Sequence, residues 1–190
     1  MTAPIVLDIE TQNAFQDVAG DIKKLKISLV GIYDYARDVY ETYLETELDR
    51  LFPLLEHAEF TIGFNINNFD FPVLSSYYLG KISQFPTLDI IEEVEKILGF
   101  RIALDDLASA TIGAKKSGHG FMAINYFKRG EFEKLKAYCL DDVKITKELY
   151  EYGKKEKKLY FNSRSGKREI KVAFDTPKKD QAPVSLSIPF

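Results

Sequence analysis

The amino-acid sequence predicts a mixed α/β fold, with a five-stranded central sheet flanked by helices and a β-hairpin following it. Three observations carry this reading. Residues 5–11, Ile-Val-Leu-Asp-Ile-Glu-Thr, form an apolar run of strand length at the start of the chain. Behind it, hydrophobic periodicities follow in the order strand, strand, strand, helix, strand, helix, strand, helices, which suits one mixed sheet covered by helices with its first strand near the centre. Lastly, Lys158 to Phe174 alternates on both sides of an Asn/Ser/Gly turn, as a hairpin does.

Taken in order, Ile27–Tyr35 is rich in β-branched and aromatic residues, and 38–45 adds Val39, Tyr40, Tyr43 and Leu44, giving two strands joined by a short turn. From Glu45 to His57 the spacing becomes helical, with Leu48, Leu51, Phe52, Leu54 and Leu55. Phe60–Phe64 is a fourth strand. Phe71-Pro72 opens a helix, since proline is well tolerated in a first turn, and the pattern carries it through Leu74, Tyr77 and Leu79 to Gly80. Phe85–Ile91 is a short fifth strand leading into a helix over Glu92–Leu98. Leu104–Tyr152 is mostly helical, interrupted by Gly113–Gly120, a glycine-rich lid or connection that lacks phosphate-binding P-loop spacing. The expected organisation is a main domain over 1–152, a basic hairpin appendage over 153–175 and a flexible tail over 176–190.

Composition bounds the function. With 190 residues, 45% hydrophobic and 13% aromatic, the chain has ample material for a core. No segment approaches the ~18–20 apolar residues of a membrane span. The first strand starts too early to leave room for a secretory leader, so a cytoplasmic setting without membrane attachment is expected. The single cysteine, Cys139, excludes an internal disulfide framework and a cysteine-based zinc site. The net charge of −3 hides an asymmetry: residues 151–190 hold ten Lys/Arg against five Asp/Glu, a net of +5, and the other 150 residues hold sixteen against twenty-four, a net of −8. A basic segment on an acidic body points to a polyanion or an acidic partner; a solvated surface hairpin accounts for the charge equally well.

The chemistry lies in the acids. In a strand, Ile5, Leu7 and Ile9 share one face and Val6, Asp8 and Glu10 the other. Two carboxylates side by side in a core strand repel each other and are costly to bury. A chain of this length shows about one Asp-x-Glu by chance, but this one falls on the most strand-like segment. Asp70, in Gly-Phe-Asn-Ile-Asn-Asn-Phe-Asp-Phe-Pro, stands between the fourth strand and the next helix, where Asp also serves as an ordinary N-cap. In Lys136–Thr146, helical phase puts Asp142 inside the apolar stripe of Leu135, Cys139, Val143, Thr146, Leu149 and Tyr150, with Asp141 on the opposite side. Tyr138, four residues before Asp142, shares its side of the helix, a place a core-edge aromatic would also occupy. Oxygen-only donors without Cys or His suit hard divalent cations such as Mg²⁺ or Mn²⁺, and a shared cation turns the repulsion into attraction.

These residues resemble the DnaQ-like 3′–5′ exonucleases of the ribonuclease H-like superfamily, in the DEDDy branch. Asp8-Ile-Glu10-Thr is similar to the first exonuclease motif, Asn65-x-x-x-Phe69-Asp70 to the second and Tyr138-x-x-x-Asp142 to the third. The resemblance covers roughly residues 3–152 and extends to a small stand-alone subgroup, some members of which are attached to helicases. It implies a ribonuclease H-like fold and two-metal hydrolysis of the terminal phosphodiester of single-stranded DNA or RNA, releasing nucleoside 5′-monophosphates. Asp8 would bridge two Mg²⁺ or Mn²⁺ ions, Glu10 and Asp142 completing the first and Asp70 supporting the second. Tyr138 would orient the attacking water; a phenol, titrating near ~10, is a poor general base at neutral pH, so activating the water falls to the metal. A related branch carries a histidine five residues before the last acid; here that position is Ala137, and His119 is too remote to replace it. The same resemblance suggests that Thr11 and Asn65 touch the terminal nucleotide or its phosphate and that Phe69 stacks near it, core packing being the competing role for Phe69.

Two other readings compete. One is a catalytically idle ribonuclease H-like module that binds nucleic acid or a replication or repair partner; four mutually repelling acids argue against it. The other is a structural domain whose acids are caps and surface charges; the phase of Asp142 argues against that. A helicase or polymerase partner is a further expectation. In the hairpin, Lys158, Arg164, Lys167, Arg168 and Lys171 are placed to follow a phosphate backbone, with Tyr160 available for stacking.

Overall fold

The computed structural model describes residues 2–114 and 121–177. Most of the glycine-rich Gly113–Gly120 stretch, His119 in it, and the tail from 178 with its apolar end Val184–Phe190 lie outside the described residues. Five strands form one sheet in the order β3-β2-β1-β4-β5: β1 Ile5–Thr11, β2 Ile27–Asp34, β3 Val39–Leu44, β4 Thr61–Gly63 and β5 Thr87–Asp89. β1 runs antiparallel to β2 and parallel to β4, so the strand carrying Asp8 and Glu10 is central and held from both sides. The expected mixed sheet with its first strand in the middle is what is found. Among the described residues no helix is long and apolar enough to cross a membrane.

The two faces of β1 divide as a period of two dictates. Ile5, Leu7 and Ile9 join a core with Leu48, Leu51 and Leu55 of helix α1 (Leu48–His57). On the other face Val6 joins a core with Val143, Ile145 and Leu149 of helix α6 (Phe132–Glu156). Among the described residues the remaining α-helices are α2 (Asp70–Leu74), α3 (Ile90–Leu98), α4 (Leu104–Ile112) and α5 (Phe121–Lys128). The expected helix from Phe71 to Gly80 stops after one turn. Ser76 and Tyr77 donate their N–H groups three residues back, to Val73 and Leu74, tightening the chain. Tyr77 then turns away, its hydroxyl accepting from the Ile27 N–H and donating to Glu45 at 2.7 Å. Tertiary hydrogen bonds outweigh the helical periodicity there. The connection from β1 to β2 adds two short 3-10 turns, Phe15–Val18 and Ile22–Lys24, that no periodicity announces.

α6 lies close against the sheet because β2 has no side chain where they cross. A Cβ on Gly31 would stand 2.7 Å from Cys139 Sγ and 3.1 Å from Val143 Cγ2. Gly31 pairs with Asp8 in the β1–β2 register, so the closest approach of α6 falls at the level of the first acid.

α6 ends at Lys157, in the left-handed region, and passes directly into the hairpin of β6 (Lys158–Ser163) and β7 (Gly166–Lys171). Among the described residues the hairpin pairs only with itself, yet Leu159 and Ile170 sit in the same core as α6 and α4, with Val172 and Phe174 beyond them. Thr111 Oγ1 at the end of α4 accepts from the Tyr160 N–H at 2.9 Å and donates to the Tyr160 carbonyl at 3.1 Å, fixing β6 to α4.

Candidate active site

The sequence order brings three elements to one place. β1 delivers Asp8 and Glu10, the β4–α2 junction delivers Asp70, and α6 delivers Tyr138 and Asp142. All eight residues singled out from sequence, Asp8, Glu10, Thr11, Asn65, Phe69, Asp70, Tyr138 and Asp142, line one cleft of about 360 Å³. Within it, ligand oxygens of Asp8, Glu10 and Asp142 lie within 4.8 Å of one another. Asp142 is 2% exposed and Tyr138 4%, while Asp141, one position on, is only half-buried, as the helical phase requires. Carboxylates this close, two of them buried and Asp8 half-buried, with no nitrogen or sulfur donor in the group among the described residues, fit a hard divalent cation.

Asp70 stands outside that trio but close to it. Burial, then the charges of Asp8, Glu10, Asp142 and Asp70 in that order, push the Cys139 thiol up, so all four acids are felt at one point and Cys139 stays a neutral thiol. Its Sγ lies 3.8 Å from Asp8 Oδ2. Asp70 opens α2 as its first residue rather than capping it, and is 3% exposed. Burial and the nearby charge of Asp89 push its carboxyl up to about 7, against backbone hydrogen bonds at Asp70 itself and Ile9 that pull it down.

This yields a test. An acid held above its ordinary value binds its proton more tightly in the folded state than in the unfolded one. The associated stability is complete below about pH 4 and is lost as pH rises through 7. Asp70→Asn, which fixes the neutral form, should flatten the pH dependence of the thermal midpoint in EDTA between pH 4 and 7. At pH 8 it should raise stability by on the order of 1–3 kcal/mol. Calorimetry across that range checks it; an unchanged profile would show that Asp70 titrates normally.

The loop that presents Asp70 hangs on a residue the sequence reading did not single out. Asp89, 3% exposed, accepts from the N–H groups of Asn65 at 2.8 Å and Asn67 at 3.1 Å, and also caps α3 through the Ile91 N–H at 3.2 Å. Burial raises its carboxyl, and the Asn67 and Asn65 amides oppose that. Asn65 takes a left-handed φ of 72°, which Asn tolerates better than most residues, and its side-chain oxygen accepts from Arg101 Nη2. The signal for Asp89 was present as Asp-Ile-Ile-Glu, an Asp followed three residues later by Glu ahead of an apolar helix.

The proposed contact residues differ in character. Thr11 lies just past a register shift in the β1–β2 ladder, where it pairs with Ile27, and its hydroxyl donates to the Asn13 carbonyl at 2.9 Å. Phe69 lines the cleft and also packs on the core beneath it. Two exposed aromatics on the rim, Phe15 and Phe121, carry no sequence motif and were not anticipated.

Against this geometry, the family model RNase_H_2, described as RNase_H superfamily, matches residues 5–153. No curated protein matches the chain. Among solved structures, the chain is similar to the family B DNA polymerase from the hyperthermophilic archaeon Pyrobaculum calidifontis, with a TM-score of 0.61 and 18% identity over 79% of this chain and 24% of that one. It is also similar to RNase D of Trypanosoma brucei, with a TM-score of 0.54 and 18% identity over 80% of this chain and 57% of that one. The chain thus corresponds to about a quarter of the polymerase and just over half of the RNase D, and at this identity the likeness is one of fold.

Proposed function

Because the chain belongs to the RNase H superfamily, we propose that it is a metal-dependent 3′–5′ exonuclease of the DEDDy type, shortening single-stranded DNA or RNA and releasing nucleoside 5′-monophosphates. The observation that carries this reading is the convergence of Asp8, Glu10, Asp70, Tyr138 and Asp142 on one cleft. Its volume is at the small end of ligand pockets, ~300–1,000 Å³, and suits a single terminal nucleotide rather than a duplex.

Asp8, Glu10 and Asp142 would hold one Mg²⁺ or Mn²⁺, with Asp8 and Asp70 serving a second. Bound there, the ions supply Lewis acidity, lowering the pKa of a water and neutralising charge on the leaving 3′-oxygen. Water oxygen forms the new bond to phosphorus, the bond from phosphorus to the 3′-oxygen breaks, and that oxygen leaves with a proton. Tyr138, rigid in α6 and packed beside Ala123 of α5, presents a hydroxyl that orients the water in line with the leaving oxygen. Phe15 and Phe121 on the rim offer ring faces to the terminal base.

Oligonucleotides labelled at either end test this. With Mn²⁺, a 3′ label should appear first as a mononucleotide and a 5′ label as a descending ladder, both abolished by EDTA. Tyr138→Phe should lower kcat by roughly 10- to 100-fold while KM and the metal-induced rise in thermal midpoint change little. Internal cuts, or cleavage that persists in EDTA, would overturn the proposal. An oligonucleotide bound but never shortened would identify an idle binding module.

A further inference from the structure

A second groove, of about 560 Å³, lies between the α3–α4 connection and the hairpin. Its walls include Phe100, Arg101, Asp106, Asn162, Phe161 and Arg164. Phe100 is 49% exposed, and its ring meets that of Phe161 at 6.0 Å and 72°, making an open aromatic corner. Among the described residues two arginines line the groove against a single carboxylate, Asp106. The hairpin itself carries Lys158, Arg164, Lys167, Arg168 and Lys171 against Glu169 alone.

Arg101 joins this groove to the acidic cleft. It forms part of the groove wall, pairs with Glu95 at 3.5 Å, and donates to the side chain of Asn65, which lines the cleft. The hairpin's other aromatic is less suited to receive a base. The Tyr160 ring already carries Lys167 Nζ at 4.4 Å and Lys158 Nζ at 5.7 Å, and Tyr160 lies on the strand face opposite Phe161.

We propose that this groove is a second nucleic-acid subsite, which takes nucleotides on the 5′ side of the one in the acidic cleft. One base stacks in the Phe100–Phe161 corner, and Arg101 and Arg164 hold the phosphates between the two sites. The inference rests on the exonuclease reading for the direction of the strand, and it makes strand length a determinant of substrate choice: oligonucleotides that reach the hairpin are preferred over dinucleotides.

The test compares the full chain with Phe100→Ala and Arg164→Ala, both at exposed positions. Anisotropy of a labelled 12-nucleotide strand in EDTA reads binding, and hydrolysis of that strand and of a dinucleotide in Mn²⁺ reads turnover. Phe100→Ala should weaken 12-mer binding roughly tenfold. Arg164→Ala should reduce the slope of log affinity against log salt by about 0.7. In both variants the ratio of kcat/KM for 12-mer over dinucleotide should fall roughly tenfold, with unchanged thermal midpoints showing the fold intact. Binding, salt slope and length preference all equal to those of the unmodified chain would overturn the subsite. If the unmodified chain hydrolyses nothing yet the two variants weaken 12-mer binding, the exonuclease reading fails and the groove stands.

Discussion

Asp8→Asn is expected to reduce metal-dependent hydrolysis by on the order of 10³-fold or more while leaving the protein folded. The two halves of this expectation have separate causes. Asp8 belongs to the trio of crowded carboxylates and lies on the strand at the centre of the sheet, so no neighbouring acid can move in to replace it. The packing of β1 rests on Ile5, Leu7, Ile9 and Val6, none of which the substitution touches. Removing one of three mutually repelling charges should leave the thermal midpoint in EDTA unchanged or higher. The rise that Mn²⁺ gives the unmodified protein should disappear. A variant that keeps that rise, or keeps its activity, would falsify the assignment of Asp8 as a metal ligand.

Gly31→Ala should be nearly as damaging, although the residue carries no chemistry. The added Cβ would stand 2.7 Å from Cys139 Sγ, so α6 must move off the sheet at the level of Asp8. Overpacking of this kind costs about 1–3 kcal/mol. The same movement carries Asp142 and Tyr138 away from β1, and a misplacement of ~1 Å is worth on the order of 10² in rate. The stability loss is read by denaturant titration and the rate at a temperature where the variant is still folded. Cys139→Ala removes the nearest obstacle, so the double variant should recover part of both losses. Strict additivity of the two changes would show that α6 is positioned by something other than this contact.

Much of the site was legible because its residues sit on regular elements. A period of two separates Asp8 and Glu10 from Leu7 and Ile9, although β1 is covered on both faces and only Asp8 is half-buried; 100° per residue separates Asp142 from Asp141, and there burial follows the periodicity. What escaped depends on contacts between segments distant in sequence. Asp89 supports Asn65 from 24 residues away and Arg101 reaches it across 36. Phe15 and Phe121 meet at the cleft only after the sheet and α6 have folded around it. The helix beginning at Asp70 fell short of its expected length for the same reason, since the partners of Tyr77, Ile27 and Glu45, lie elsewhere in the chain. The hairpin's strands could be read from alternation, but that Leu159 and Ile170 would plug into the core beside α6 could not.

That last contact has a mechanical consequence. α6 is 25 residues long and bears Asp142 eleven residues before Gly153, where the Phe174 ring packs against the glycine. At 1.5 Å per residue the lever arm is about 16 Å. The role proposed for Asp142 needs it held to within ~0.5 Å, which corresponds to a pivot of about two degrees at the hairpin end of the helix. The hairpin holds the C-terminal end of the helix that bears Asp142, so stiffness at residues 159–174 adds angular precision at residue 142 to what the Gly31 contact supplies.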